Sequence, residues 1–211
     1  MKAWIALNAW AAALAFGSAA LFASPSAFAQ TQDANAPMHR TGSPIVVELY
    51  TSQGCFTCRR ANRLLGEIAS DPDVIALTFP VDYWDYLGWH DTFARDEFTR
   101  RQRRFWLTLH IRSLYTPGIL INGERHVNGA REPQVRALLQ SFRTAPMRRG
   151  PNVAIRQAGR ETRVEIGRGS APAEPADIWI VTFDPGPEWV TIQAGDNRGQ
   201  RMAHYNLVRT I

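Results

Sequence analysis

The chain has two cysteines, held in Ser52-Gln53-Gly54-Cys55-Phe56-Thr57-Cys58-Arg59. A C-x-x-C pair has three uses: to exchange electrons with a substrate disulfide, to form a structural bridge, or to bind a soft metal through two thiolates. Spacing alone does not separate them. A redox pair needs one exposed thiolate of low pKa and a second thiol close enough to resolve the mixed disulfide. The start of an α-helix supplies both. Its free N–H groups and positive dipole end stabilise a thiolate, and the i to i+3 spacing puts the second sulfur one turn below. On that reading Cys55 is the nucleophile and Cys58 the more buried resolving partner, with Arg59 and Arg60 adding positive charge. Such settings lower a thiol pKa from about 8.5 to between about 3.5 and 7.5.

This chemistry needs no cofactor, and none is expected. Asp82, Asp85, His90 and Asp91 are metal-ligand types, but their spacing matches no recognisable site, so no metal is assigned. A copper-carrying role would recruit His90 or His126 beside both thiolates, which soft copper suits.

The elements around the pair decide how it is placed. Ile45 to Tyr50 is β-branched and apolar on both faces, the pattern of a central strand buried on both sides. After the Gly54 turn, Ala61, Leu64, Leu65 and Ile68 fall on one helical face, and Asp71-Pro72 ends the helix. Val74 to Val81 reads as a second strand. Asp91 is positioned to cap a second helix over about 92–109, whose arginines at 100, 101, 103 and 104 read as a solvated flank. A strand over 118–121, an Asn122-Gly123 turn and a strand over 124–127 make a hairpin. A third helix starts near Pro133, with Val135, Leu138, Leu139 and Phe142 on one face. The order is β-α-β-α-β-β-α over 44–146, an α/β domain with C-x-x-C at its first strand-to-helix junction, which reads as a thioredoxin-like redox motif. Five short strand-like runs over 147–211 (153–157, 162–166, 178–183, 190–193 and 204–208) read as a small β module packed on it.

The first residues read as an address. Lys2, an apolar run from Ile5 to Leu21 and the small-residue site Ala27-Phe28-Ala29 make 1–29 a cleavable signal peptide, with 30–43 a disordered lead-in. The mature protein is expected to be periplasmic or secreted, where cysteines meet an oxidising compartment. No later segment approaches the roughly 18 apolar residues of a membrane span. Of the 24 basic residues only Lys2 leaves with the signal, and 19 acidic residues balance most of the rest. So slight an excess argues against nucleic acid as a partner and leaves protein or small-thiol substrates.

Val46-Val47-Glu48-Leu49-Tyr50-Thr51-Ser52-Gln53-Gly54-Cys55 with Cys58, Val81 to Trp89, Arg101-Gln102-Arg103, Tyr115-Thr116-Pro117, Asn197-Arg198-Gly199 and Asn206 to Arg209 resemble the thioredoxin superfamily. More narrowly, they resemble an exported thioredoxin-like family catalogued as a domain of unknown function. The resemblance covers most of the mature chain and implies a thioredoxin-like fold. It implies that Pro117 is a cis-proline facing the dithiol, turning the backbone of Thr116 toward a substrate chain that adds as a short strand. It implies that Glu48 is the acid that shuttles a proton for the resolving cysteine, against the alternative of a partly exposed strand glutamate. Tyr83 and Trp84 would line a substrate groove beside the pair, or else belong to a packed insertion. One departure stands out: Arg59 replaces the proline that usually follows the second cysteine, which leaves the redox potential open.

Overall fold

The computed structural model describes residues 43–145, 151–159, 161–169 and 176–211; the signal peptide and nearly all of the lead-in lie outside these. At the centre is β1 (Ile45–Thr51), buried along almost its whole length. β2 (Val74–Pro80) runs parallel beside it, in register from Ile45 with Val74 to Thr51 with Pro80. Parallel neighbours need a crossover, and α1 (Cys58–Ile68) provides it, so the helix begins at the second cysteine. On the other side of β1, antiparallel β3 (Gly118–Ile121) turns through Asn122 and Gly123 into β4 (Arg125–Asn128). Asn122 and Gly123 both have positive φ (52° and 68°), a conformation that Asn and Gly accept more readily than other residues.

The alternation of β1 divides the core. Val47 and Leu49 face α1 and α3 (Glu132–Thr144), packing on Leu64, Leu65, Ile68, Val135 and Leu139. Tyr50 points the other way, with Phe79 and Leu120, onto Phe98 and Trp106 of α2 (Asp96–Thr108). Truncating a fully buried member such as Leu65 to alanine costs about 2–5 kcal/mol. The expected mixed α/β fold is present, with helices on both faces of the sheet.

Two elements differ from expectation. α2 starts at Asp96 instead of near Thr92, because the Asp91 carboxylate holds loop backbone instead of capping a helix. The 147–211 strands also divide among sheets instead of building one of their own. β10 (Leu207–Thr210) lies parallel to β2, and β7 (Thr182–Asp184) closes the outer edge, giving a six-stranded order β4-β3-β1-β2-β10-β7. Asn206 Nδ2 donates to Ala76 O (2.8 Å) and Thr78 Oγ1 to Tyr205 O (2.6 Å), tying the chain end to the centre. The run expected as one strand at 204–208 breaks at Asn206, whose φ is 47°.

β8 (Glu188–Thr191) and β9 (Arg201–His204) form a hairpin whose following turn lays Tyr205 on Gly66 of α1. A methyl at Gly66 would meet the Tyr205 ring at 2.6 Å, so this approach requires glycine. β5 (Val153–Ala158) and β6 (Glu161–Ile166) make a hairpin that is exposed along most of its length.

Candidate functional site

β1 delivers its C-terminal end to the cysteine loop, and α1 starts where that loop ends. Cys55 and Cys58 are joined in a disulfide with Cα atoms 5.3 Å apart. The loop folds on itself: Ser52 O accepts from Cys55 N (3.2 Å), and Ser52 Oγ from Gly54 N (3.1 Å). Gly54 suits a close approach, since a Cβ there would stand 3.1 Å from that of Trp84. Asn62, one turn into α1, donates to Thr51 Oγ1 (2.7 Å) and Cys58 O (3.0 Å), locking the helix start to the strand end. No acidic residue lies in the first turn of α1, so nothing there opposes negative charge on sulfur. Thr57 Oγ1 lies 3.7 Å from Cys55 Sγ.

Distant segments hold the loop from outside. Asp91 Oδ2 accepts from Gln53 N (2.7 Å), while Oδ1 accepts from Phe93 N (2.9 Å). Burial outweighs these bonds and pushes the Asp91 carboxyl up to about 6. The Gln53 side chain accepts from Trp89 Nε1 (2.8 Å) and donates to Thr92 Oγ1 (3.0 Å). From the far end of the chain, Asn197 Nδ2 donates to both Gln53 O (2.7 Å) and Cys55 O (3.0 Å). Ile192 and Met202 pack directly on the cysteines, with Trp84, Trp89 and Val190 around them. Cys55 is therefore 1% exposed and Cys58 0%. A redox pair calls for an exposed Cys55; here the C-terminal segment covers it, and what faces solvent is Phe56, 74% exposed.

Beside the pair a cleft of about 870 Å³ opens between the start of α1 and the β8–β9 hairpin. Phe56, Thr57, Arg59 and Arg60 form its α1 wall, and Trp189 and Arg201 face them.

The other residues singled out from sequence fall in three places. The Thr116–Pro117 peptide is cis, and Gly129 lies next to both Pro117 and Ala61 of α1: a methyl there would meet Pro117 Cβ and Ala61 Cβ, each at 3.2 Å. Trp84 packs on the cysteine cluster, while the Tyr83 hydroxyl points at Gln102 and Thr116 without a hydrogen bond of normal geometry. Burial drives the Tyr83 phenol well above its ordinary range. Glu48 is buried, but on the α2 side of the sheet. Its carboxylate takes a two-pronged ion pair from Arg101 (both contacts 2.8 Å) and a hydrogen bond from Tyr50 Oη (2.7 Å). Since β1 sends alternate side chains to opposite faces, Glu48 points away from the helix that carries Cys58. Arg101 is correspondingly not part of a solvated flank. Its guanidinium lies over Phe79, Phe105 and Trp179, 4.9–5.4 Å from each ring.

His90 pairs with Asp85 (2.5 Å) and His126 Nδ1 with the Tyr115 hydroxyl (2.7 Å). Among the described residues no three His, Cys, Asp or Glu side chains gather as a metal site. Sequence reasoning missed the clamps made by Asp91 and Asn197. A lone Asn 142 residues from its partner carries no local signal.

Residues 46–211 match the model of a family described as protein of unknown function DUF1223. The X-ray structure of protein AGR_C_4864 from Agrobacterium tumefaciens is similar at 32% identity and a TM-score of 0.64, over 81% of this chain and 72% of that one. No curated protein matches.

Proposed function

We propose, for a chain that belongs to the DUF1223 family of proteins of unknown function, that it is an exported thiol–disulfide oxidoreductase acting on protein or small-thiol substrates. The observation that carries this reading is a C-x-x-C disulfide between the end of a central parallel strand and a helix whose first turn has no acidic residue. In the reducing direction, the Cys55 thiolate attacks a substrate disulfide sulfur, forming a mixed disulfide and releasing one substrate thiolate. The Cys58 thiolate then attacks Cys55 Sγ, releasing the second substrate thiolate and closing Cys55–Cys58, so two electrons pass to the substrate. The oxidising direction is the reverse. The helix N-terminus and the Thr57 hydroxyl favour the Cys55 thiolate. Pro117, beside α1, leaves the Thr116 backbone as the place where a substrate strand would add. Glu48, closed into its pair with Arg101 and Tyr50, is a structural group in this scheme. The N-terminal charge and apolar pattern support export.

One observation favours a second reading, a binding protein braced by a structural disulfide: both sulfurs lie under Ile192 and Met202. The potential of the couple decides. Equilibration with glutathione buffers between about −270 and −120 mV, and iodoacetamide labelling of reduced Cys55 well below pH 8, are expected for the redox reading. A couple below about −300 mV that glutathione does not reduce establishes the brace instead.

A further inference from the structure

The cleft beside the dithiol has a charge pattern that the fold does not need. Arg59 and Arg60 occupy the first turn of α1, where the helix dipole disfavours cations, and Arg63 follows at i+4 and i+3, where like charges repel. No acidic residue in that turn offsets them. All three line the cleft, and Arg201 faces them from β9 with its guanidinium 4.7 Å from the ring of Trp189. Gln200 engages Arg59, but among the described residues Arg60, Arg63 and Arg201 make no ion pair. Among the described residues, Asp196 is the one acid on the lining. A local arrangement that costs helix stability and leaves Arg60 and Arg63 without an ion pair among the described residues marks a surface kept for a ligand.

We infer that this cleft binds an acidic peptide segment flanking the substrate's cysteine, its carboxylates meeting Arg60, Arg63 and Arg201. Arginine suits the task because its planar fork meets a carboxylate bidentately. The cationic groups are spread over about 6 Å of helix axis and across to β9, which matches carboxylates on successive residues better than a single anion. The exposed faces of Phe56 and Trp189 cover the apolar parts of such a segment. The volume falls within the range of ligand sites, and Phe56 and Thr57 put its floor between the two cysteines in sequence. Carboxylate binding stands on the cleft alone, while its use in exchange rests on the thiol–disulfide reading above.

The test separates the two. Short synthetic peptides with serine in place of cysteine, flanked by glutamates or by glutamines, are titrated against the oxidised full chain with tryptophan fluorescence as readout. The glutamate peptide is expected to bind about tenfold tighter, as a few exposed ion pairs supply, and the gap should close at high salt. Arg60→Glu with Arg63→Glu should abolish the preference, and the lysine versions should keep much of it; these side chains are exposed, so folding is not at stake. Equal affinity for the two peptides overturns the proposal, and so does a free glutamate or other small polycarboxylate binding as tightly as the peptide. If the preference holds but the cysteine version of the peptide, as its disulfide, never exchanges with reduced protein, the cleft stands and the redox reading falls.

Discussion

His204 gives the sharpest quantitative expectation. It is 0% exposed, neither ring nitrogen has a hydrogen-bond partner, and its ring stands edge-on to Phe93 at 5.2 Å. Glu188, opposite it across the hairpin, is engaged with Arg209 instead of with the imidazole. Burial pulls the His204 pKa down to about 4 from its ordinary 6.5. Above pH 6.5 both folded and unfolded chains hold it neutral. As pH falls from 6.5 toward 4 the unfolded chain takes a proton that the folded chain refuses, and stability is lost by roughly 3 kcal/mol, levelling off once the folded form is protonated. Asp91 acts with the opposite sign. Burial holds its carboxyl near 6 against an ordinary 3.8, so the folded chain takes up a proton first and gains a comparable amount over nearly the same window. In the wild type the two contributions oppose each other. His204→Phe keeps the ring contact and removes one side of that balance. Its stability relative to wild type, from urea unfolding followed by tryptophan fluorescence at pH 7, 5.5 and 4, should rise by roughly 3 kcal/mol between the first and last. The offset at pH 7 mixes relief of two unpartnered nitrogens with the fit of a larger ring, so the pH-dependent part is the measure. A gap between variant and wild type that stays constant from pH 7 to 4 would refute the reasoning.

Two further expectations concern the clamps. Asn197→Ala removes both hydrogen bonds onto the cysteine loop and should cost about 1–3 kcal/mol, since Gln53 O and Cys55 O stay buried. It should also speed reduction of the disulfide by dithiothreitol, followed by thiol titration; an unchanged rate would mean that the C-terminal cover does not limit access. Arg101→Met strands the Glu48 carboxylate and should cost about 3–5 kcal/mol, whereas Arg101→Met combined with Glu48→Gln should recover much of that loss in the same urea assay. A double variant as unstable as the single would show that guanidinium packing on Phe105 and Trp179, and not charge pairing, is what Arg101 contributes.

What the sequence determines here is local. Hydrophobic period separates Ile45–Tyr50 as a doubly buried strand from Ala61–Ile68 as a one-faced helix, and that alone puts the cysteines at a strand-to-helix junction. Asn122-Gly123 announces its own turn, because few other residue pairs accept two successive positive φ values. Short-range chemistry of this kind is written in neighbouring residues. The surroundings of the junction are not, because they come from chain separations of 38 to 144 residues: Asp91 on Gln53 N, and Asn197 on Gln53 O and Cys55 O. Glu48 shows the same limit. Its type and strand position suggest a proton shuttle, but only the sheet's alternation and the arrival of Arg101 from α2 decide which face it serves. The spacing C-x-x-C is a property of the sequence. Whether solvent reaches Cys55 is decided by Ile192, Met202 and Asn197, which meet it only because the fold brings the end of the chain back over the start of α1.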